Sequence, residues 1–416
     1  MSNILSFIKL FCRLAECELT VKSCVSVATV LQSPNSLTVL DLCNNDLGDS
    51  GVHNILSVVM LFFRLAKWKL TDKSCGIVAT VLQSSNSLTE LDLSNNVLGV
   101  SGVQLLSNGL SSPHCKMQTL RLAKCKLTDK SYGIVATVLQ SPNSLTELDL
   151  CNNDLGDSGV QLLSKGLSSS HCRLQTLRLA RCKLGVKSCG FVANVLQSPN
   201  SLIELDLCNN ELGDSGVQDL SKGLSSPHCK LQTLRLAECK LRAVHCGIVA
   251  TVLQSPNSLT ELDLSNNDLG DSVVQLLSNG LSRLDPVCVL VCHYCPVKCS
   301  SEFRNLHFNW IFCLFPPFNY IDYSGHLQKG IAHFFSFQSN ILSFVMLFCR
   351  LAKCKLTDKS CGIVATVLQS PISLTELDLG NNDLGDSGVQ LLSHRLSSPH
   401  CRLKTLRLIQ QLSKLV

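Results

Sequence analysis

The chain has 416 residues, 45% of them hydrophobic and only 5% aromatic. Lys and Arg number 36 against 31 Asp and Glu, a net charge of +5 that is too small and too dispersed to argue for nucleic acid as the partner. A chain of this length would ordinarily divide into two or three domains, unless it grows by adding copies of one unit.

The opening residues read NILSFIKLFCRLAECEL, ahead of a first clear strand pattern at Leu37. Lys9 interrupts the apolar run and no small-x-small cleavage site follows, so a signal peptide is not expected. The same word returns from Asn54 to Arg64 and from Asn340 to Arg350, each time running into Leu-Ala. From Leu37 to Arg64 is 27 residues, whereas Leu88 to Arg121 is 33, so the word shortens its unit. Phe-Cys-Arg is what a pyrimidine-rich tract closing in a splice acceptor encodes, and the words are read as translated intron ends. The alternative is a variant repeat in which Met60, Phe63 and Leu65 supply the apolar strand positions.

From Leu88 the text repeats at Leu145, Leu202 and Leu259, a constant step of 57 residues. Each unit spells L-x-x-L-x-L-x-x-N/C-x-L twice, as Leu145, Leu148, Leu150, Asn153, Leu155 and then Leu174, Leu177, Leu179, Cys182, Leu184, in halves of 29 and 28 residues. The leucines are expected in the core. Asn153 should bond the backbone groups that the bend after the strand leaves unpaired, with Cys182 in its place in the second half. A helix follows each strand. Asp157 or Ser158 is expected to cap the first, whose Val160, Leu163 and Leu167 recur at helical spacing; Cys189, Val192, Val195 and Leu196 do the same in the second. Short strands and helices that cannot bury their own leucines must stack on the next copy. The predicted fold is an α/β solenoid with a parallel concave sheet and outer helices.

The 24 cysteines mostly keep fixed repeat positions, such as Cys125, Cys182, Cys239 and Cys354, or Cys75, Cys189, Cys246 and Cys361. Trp68 and Tyr132 replace them singly, which an obligatory bridge would not tolerate, so buried free thiols are expected. The chain has no Asn-x-Ser/Thr acceptor. Both features favour the cytoplasm.

Residues 282–339 break the array, with no leucine period and a concentration of aromatics. Cys288, Cys292, His293, Cys295, Cys299 and His307 invite a zinc reading, but only Cys292-x-x-Cys295 is well spaced and no second pair follows. Ile331 to Cys349 is apolar, yet His333, Gln338 and Asn340 weaken it as a membrane span. The expected organisation is repeats over 1–281 with an atypical start, a non-repeat insertion over 282–339 that is disordered or non-coding, and repeats over 340–416. The last strand motif, Leu403 to Leu408, is followed by neither a helix nor a polar cap, so the end is expected to be truncated.

The 29/28 alternation, with LDLxNNxLGDxGV in one half and LQTLRLAxCxLT in the other, resembles the ribonuclease-inhibitor subfamily of leucine-rich repeats over roughly residues 9–281 and 340–408. That subfamily also forms the C-terminal sensor arrays of NACHT-containing innate-immune receptors, and the low divergence between copies is similar to that of fish-type members. The resemblance implies a horseshoe-shaped solenoid that acts by binding.

Motifs for chemistry are missing from the sequence. It contains no Gly-x-x-x-x-Gly-Lys-Ser/Thr, no His-Glu-x-x-His and no Gly-x-Ser-x-Gly, and neither an enzyme nor a cofactor is expected. Pro-His-Cys recurs at His114, His228 and His400, but repetition at a helix-to-strand joint argues for structure. Position five of each strand alternates as Asp92, Arg121, Asp149, Arg178, Asp206, Arg235 and Asp263, a charge ladder in which each arginine is expected between two aspartates. Beyond it lies a basic comb, Lys67, Lys69, Lys124, Lys126, Arg181, Lys183, Lys240, Lys353 and Lys355, interrupted by Glu16 and Glu238. The comb suits an acidic protein surface or a phosphate-rich ligand. A protein partner is expected, with nucleic acid and membrane disfavoured. Two functions compete: a sensor or scaffold array, and a free-standing ribonuclease inhibitor. The second would imply an acidic, aromatic-rich face, whereas the comb is basic and Trp68 is the single tryptophan in the repeats.

Overall fold

The computed structural model describes residues 10–19, 37–55, 62–84, 88–242, 259–271, 348–367, 376–396, 403 and 405–408. Thirteen strands form one parallel sheet in strict chain order. They are β1 (Leu10–Arg13), β2 (Leu37–Asp41), β3 (Phe62–Arg64), β4 (Glu90–Asp92), β5 (Thr119–Arg121), β6 (Glu147–Asp149), β7 (Thr176–Arg178), β8 (Glu204–Asp206), β9 (Thr233–Arg235), β10 (Glu261–Asp263), β11 (Phe348–Arg350), β12 (Glu376–Asp378) and β13 (Thr405–Arg407). Between them run α1 (Gly48–Ile55), α2 (Asp72–Gln83), α3 (Gly99–Leu110), α4 (Asp129–Gln140), α5 (Gly156–Leu167), α6 (Val186–Gln197), α7 (Gly213–Leu224), α8 (Asp358–Val367) and α9 (Gly385–Leu396). Among the described residues no helix is long and apolar enough to cross a membrane.

The core is one continuous column of repeat leucines. Leu145, Leu148, Leu150 and Leu155, and Leu174, Leu177, Leu179 and Leu184, are all buried, joined by Val160, Leu163 and Leu167 from α5 and by Cys189, Val192, Val195 and Leu196 from α6. In β3 to β10 and in β12 the middle residue points inward and its two neighbours face the concave side, as the two-residue period of a strand requires. The words that looked foreign to the repeat still end in strands. Phe63 and Leu65 are buried, and β3 pairs in register with β2 and β4.

Helix capping departs from the sequence expectation. Asp157 sits inside the first turn of α5 and does not cap it; its carboxylate reaches the next helix, accepting from the backbone N–H of Gly185 at 2.9 Å and of Ser188 at 3.1 Å and from the Ser188 hydroxyl. Asp49 does the same for α2 through Thr71 and Ser74, and Asp271 for α8 through Thr357 and Ser360. The left-handed Gly156 at φ 59° starts α5 without an extended N-cap residue, which frees the aspartate to serve its neighbour. Where Val100 replaces this aspartate, Thr128 and Ser131 form a capping box for α4 instead. Helices of successive units pack closely: a Cβ on Gly166 would lie 2.7 Å from the Ala136 carbonyl oxygen, so only glycine fits there.

The array closes over its own interruption. β10 pairs directly with β11, Glu261 opposite Phe348 and Asp263 opposite Arg350. The Cys354 thiol donates to the Leu264 carbonyl across 90 residues, a contact that spans 32 residues in a regular copy, as between Cys239 and Leu207. The candidate zinc ligands of the 282–339 segment and residues 331–347 of the apolar stretch lie outside the described residues; Phe348 and Cys349 at the end of that stretch belong to β11.

Candidate binding surface

The turn after each strand from β2 to β12 is built around one inward-pointing side chain that hydrogen-bonds the backbone. Asn153 Nδ2 donates to the carbonyls of Leu122 at 2.9 Å and Leu150 at 2.8 Å, while its Oδ1 accepts from the N–H groups of Cys125 at 2.9 Å and Leu127 at 3.1 Å. Asn45, Asn96, Asn210, Asn267 and Asn382 repeat the arrangement. In second halves the buried thiol takes the donor role, Cys125 to the Leu93 carbonyl at 3.2 Å and Cys182 to Leu150 at 3.3 Å. Trp68 substitutes by offering its indole N–H to Leu42 at 2.7 Å. Burial pushes the Cys125 and Cys182 thiols up to about 12, so they are held as neutral donors.

This clamp positions the basic comb. With Cys125 pinned inward, Lys124 and Lys126 on either side are turned out to solvent in the left-handed region, at φ 54° and 56°. The same holds for Lys67 and Lys69, Arg181 and Lys183, and Lys353 and Lys355, as well as for Lys240, whose companion is Glu238. First halves place Asn at the first of these two positions, as at Asn152, a residue that tolerates this conformation better than lysine, and mostly an acidic residue, as at Asp154, at the second. One tooth of most pairs is tied to the preceding turn: Lys69 to Asp46 at 2.6 Å, Lys183 to Asp154 at 2.8 Å, Lys240 to Glu211 at 2.5 Å and Lys355 to Asp268 at 2.7 Å. Lys126 differs, because its counterpart is Val97, 50% exposed. Among the described residues Lys126 has no carboxylate partner.

On the concave sheet, Arg121 and Asp149 stand opposite one another in register, as do Arg178 and Asp206. The ion pairs run elsewhere, except that Arg64 lies 3.9 Å from Asp41. Arg121 bridges Glu90 and Glu147, Arg178 bridges Glu147 and Glu204, and Arg235 bridges Glu204 and Glu261, the longer contact in each being 3.2, 3.3 and 3.4 Å. Arg64 and Arg350 extend the chain at its two ends. The aspartates fold back instead: Asp92, Asp149, Asp206 and Asp263 each accept the backbone N–H two residues on, at 2.9 to 3.0 Å. A short aspartate satisfies the start of its own turn, and the longer glutamate two residues earlier on the same face reaches the arginine. Burial pulls the Glu147 carboxyl up, but hydrogen bonding from Arg178 and the charges of Arg121 and Arg178 outweigh it and hold it below the ordinary glutamate range. Glu90, Glu147, Glu204 and Glu261 were missed in the sequence, although their fixed place at strand position three, on the face of position five, is the signal that marks them.

The Pro-His-Cys joint shows no activated nucleophile. Burial raises the Cys115 and Cys229 thiols, the opposite of the shift a thiolate nucleophile needs, and the His114 and His228 backbones bond neighbouring serines within the turn.

The profile described as Leucine Rich repeat matches residues 33–56, 84–107, 141–164, 198–221, 255–278 and 370–393, each beginning four residues ahead of a first half and running into it. The ribonuclease inhibitor of Sus scrofa is 36% identical over 405 residues, covering 95% of this chain and 88% of that protein. The chain belongs to the ribonuclease-inhibitor-like family of leucine-rich-repeat proteins. Within this family it also resembles the NACHT, LRR and PYD domains-containing protein 12 of Mus musculus, 38% identical over 89% of this chain, and protein 3 of Rattus norvegicus, 40% identical over 65%. It spans 30% and 27% of those longer relatives. The family fold accounts for the continuous parallel sheet, the outer helices and the absence of a nucleotide-binding loop from the sequence of this array.

Proposed function

We propose that this chain is a non-enzymatic, cytoplasmic protein-binding array, of the kind that serves as the sensor end of an innate-immune receptor, and that it engages its partner through the concave face and the basic comb at its rim. The carrying observation is the pairing of charge with strain: Lys67, Lys124, Arg181 and Lys353 occupy left-handed turn positions where the first halves use asparagine. A charged residue kept where a neutral one would relax the backbone marks a surface retained for binding. Comb teeth recur on alternate strands, roughly 10 Å apart along the sheet, a spacing that reads an extended acidic surface. Free buried thiols in the turns support a reducing compartment.

A second reading is a free-standing ribonuclease inhibitor, favoured by the 88% coverage of the porcine protein. Against it, Trp68 is fully buried and absent from the concave face, and the comb would repel a basic ribonuclease. Reversing Lys124, Lys126, Arg181 and Lys183 to Glu tests the first reading by its effect on the partners retained from cell extract.

A further inference from the structure

Lys126 is the tooth whose internal partner is missing. On four other turns the equivalent lysine grips a carboxylate of its own chain, from Asp46, Asp154, Glu211 or Asp268. On the turn preceding that of Lys126, Val97 stands in that place, half exposed, and Val100 stands where Asp157 serves the next helix and Asp214 accepts the Arg242 backbone N–H. That preceding half-unit has therefore lost two negative charges while Lys124 and Lys126 remain on the next, both exposed and both held outward by the Cys125–Asn153 clamp. We propose that the Val97–Lys126 turn is the specific docking point for an acidic segment of a partner protein, whose carboxylate takes the position that Asp154 takes beside Lys183 and whose neighbouring apolar side chain rests on Val97.

The geometry favours a protein carboxylate over a phosphate, because the chain's own carboxylates already fit this lysine on other turns, at 2.5 to 2.8 Å. The exposed valine adds an apolar contact that a polyphosphate would not use. The inference rests on the proposed binding role and narrows it to one turn.

The test restores the missing partner without touching any lysine. Val97→Asp rebuilds the pattern of the other turns and should fold like the parent by circular dichroism. The probe is a fluorescein-labelled synthetic peptide of glutamates and valines, compared with its glutamine-valine counterpart and followed by anisotropy on the full chain. The parent should bind the glutamate peptide more tightly than the glutamine one. Val97→Asp and Lys126→Gln should each weaken it about fivefold, and Lys165→Gln on the outer face of α5 should leave it unchanged. Parent-like affinity of Val97→Asp, or no preference for glutamate in the parent, overturns the proposal. Displacement of the peptide by oligothymidylate at equal charge concentration overturns it in favour of a phosphate ligand. If the four-residue reversal changes the partner set while Val97→Asp leaves peptide affinity intact, the binding role stands and the assignment to this turn falls.

Discussion

Asn153 and Cys125 share the task of satisfying a bend, but not equally. Asn153 serves the Leu122 and Leu150 carbonyls and the Cys125 and Leu127 N–H groups, whereas the Cys125 thiol serves the Leu93 carbonyl most closely. Unpaired buried backbone groups are expensive, so Asn153→Ala should destabilise the array by about 3 kcal/mol and Cys125→Ala by about 1 kcal/mol in urea unfolding. Equal losses would contradict this division of labour. The turn role of Asn153 was legible from its place in the leucine pattern, and so was the thiol as its stand-in. The arginine partners were not. Asp149 lies directly opposite Arg178 on the neighbouring register yet is already committed to the Cys151 N–H, a competition that side-chain length decides. Tyr132 is a further residue-scale finding: it replaces a cysteine, and its buried hydroxyl finds no hydrogen-bond partner among the described residues.

At the scale of elements, the helices are tied to one another by aspartates that cross from one half-unit to the next. Burial alone would raise the carboxyls of Asp49 and Asp271. Hydrogen bonds from Ser74 and Thr71, and from Ser360 and Thr357, outweigh it and hold both below the ordinary aspartate range. A carboxyl lowered in the folded state contributes stability that is fully present above its unfolded value and is lost as pH falls through the folded one. The melting temperature should therefore be level from pH 7 to about 5 and decline below about 4, with a smaller decline in Asp49→Asn. A rise on acidification would contradict the capping role. Helix positions and their buried faces were readable from spacing alone. The caps were not, because a sequence shows which residues can cap and only stacking shows which helix they face.

At the scale of the molecule, repetition made the solenoid legible, since a unit that cannot bury its own leucines has to stack. The interruption was legible as a break in period, and its consequence came from the structure: the Arg–Glu chain continues through Glu261 and Arg350 as though the intervening residues were absent. Removing residues 282–339 brings Leu264 and Cys354 back to the 32-residue separation of Leu207 and Cys239. The deleted chain should keep its helical and strand signal by circular dichroism and melt no lower than the parent. Loss of cooperative melting would show that the insertion is part of the fold.

The measurement that bears most directly on the binding role is quantitative mass spectrometry of proteins retained from cell extract by the parent chain and by the variant with Lys124, Lys126, Arg181 and Lys183 reversed to Glu. These residues are exposed and outside the core, so the variant should fold like the parent. A binding array that works through its basic comb predicts that the acidic partners held by the parent are lost from the variant. An unchanged set of partners on a folded variant would contradict it.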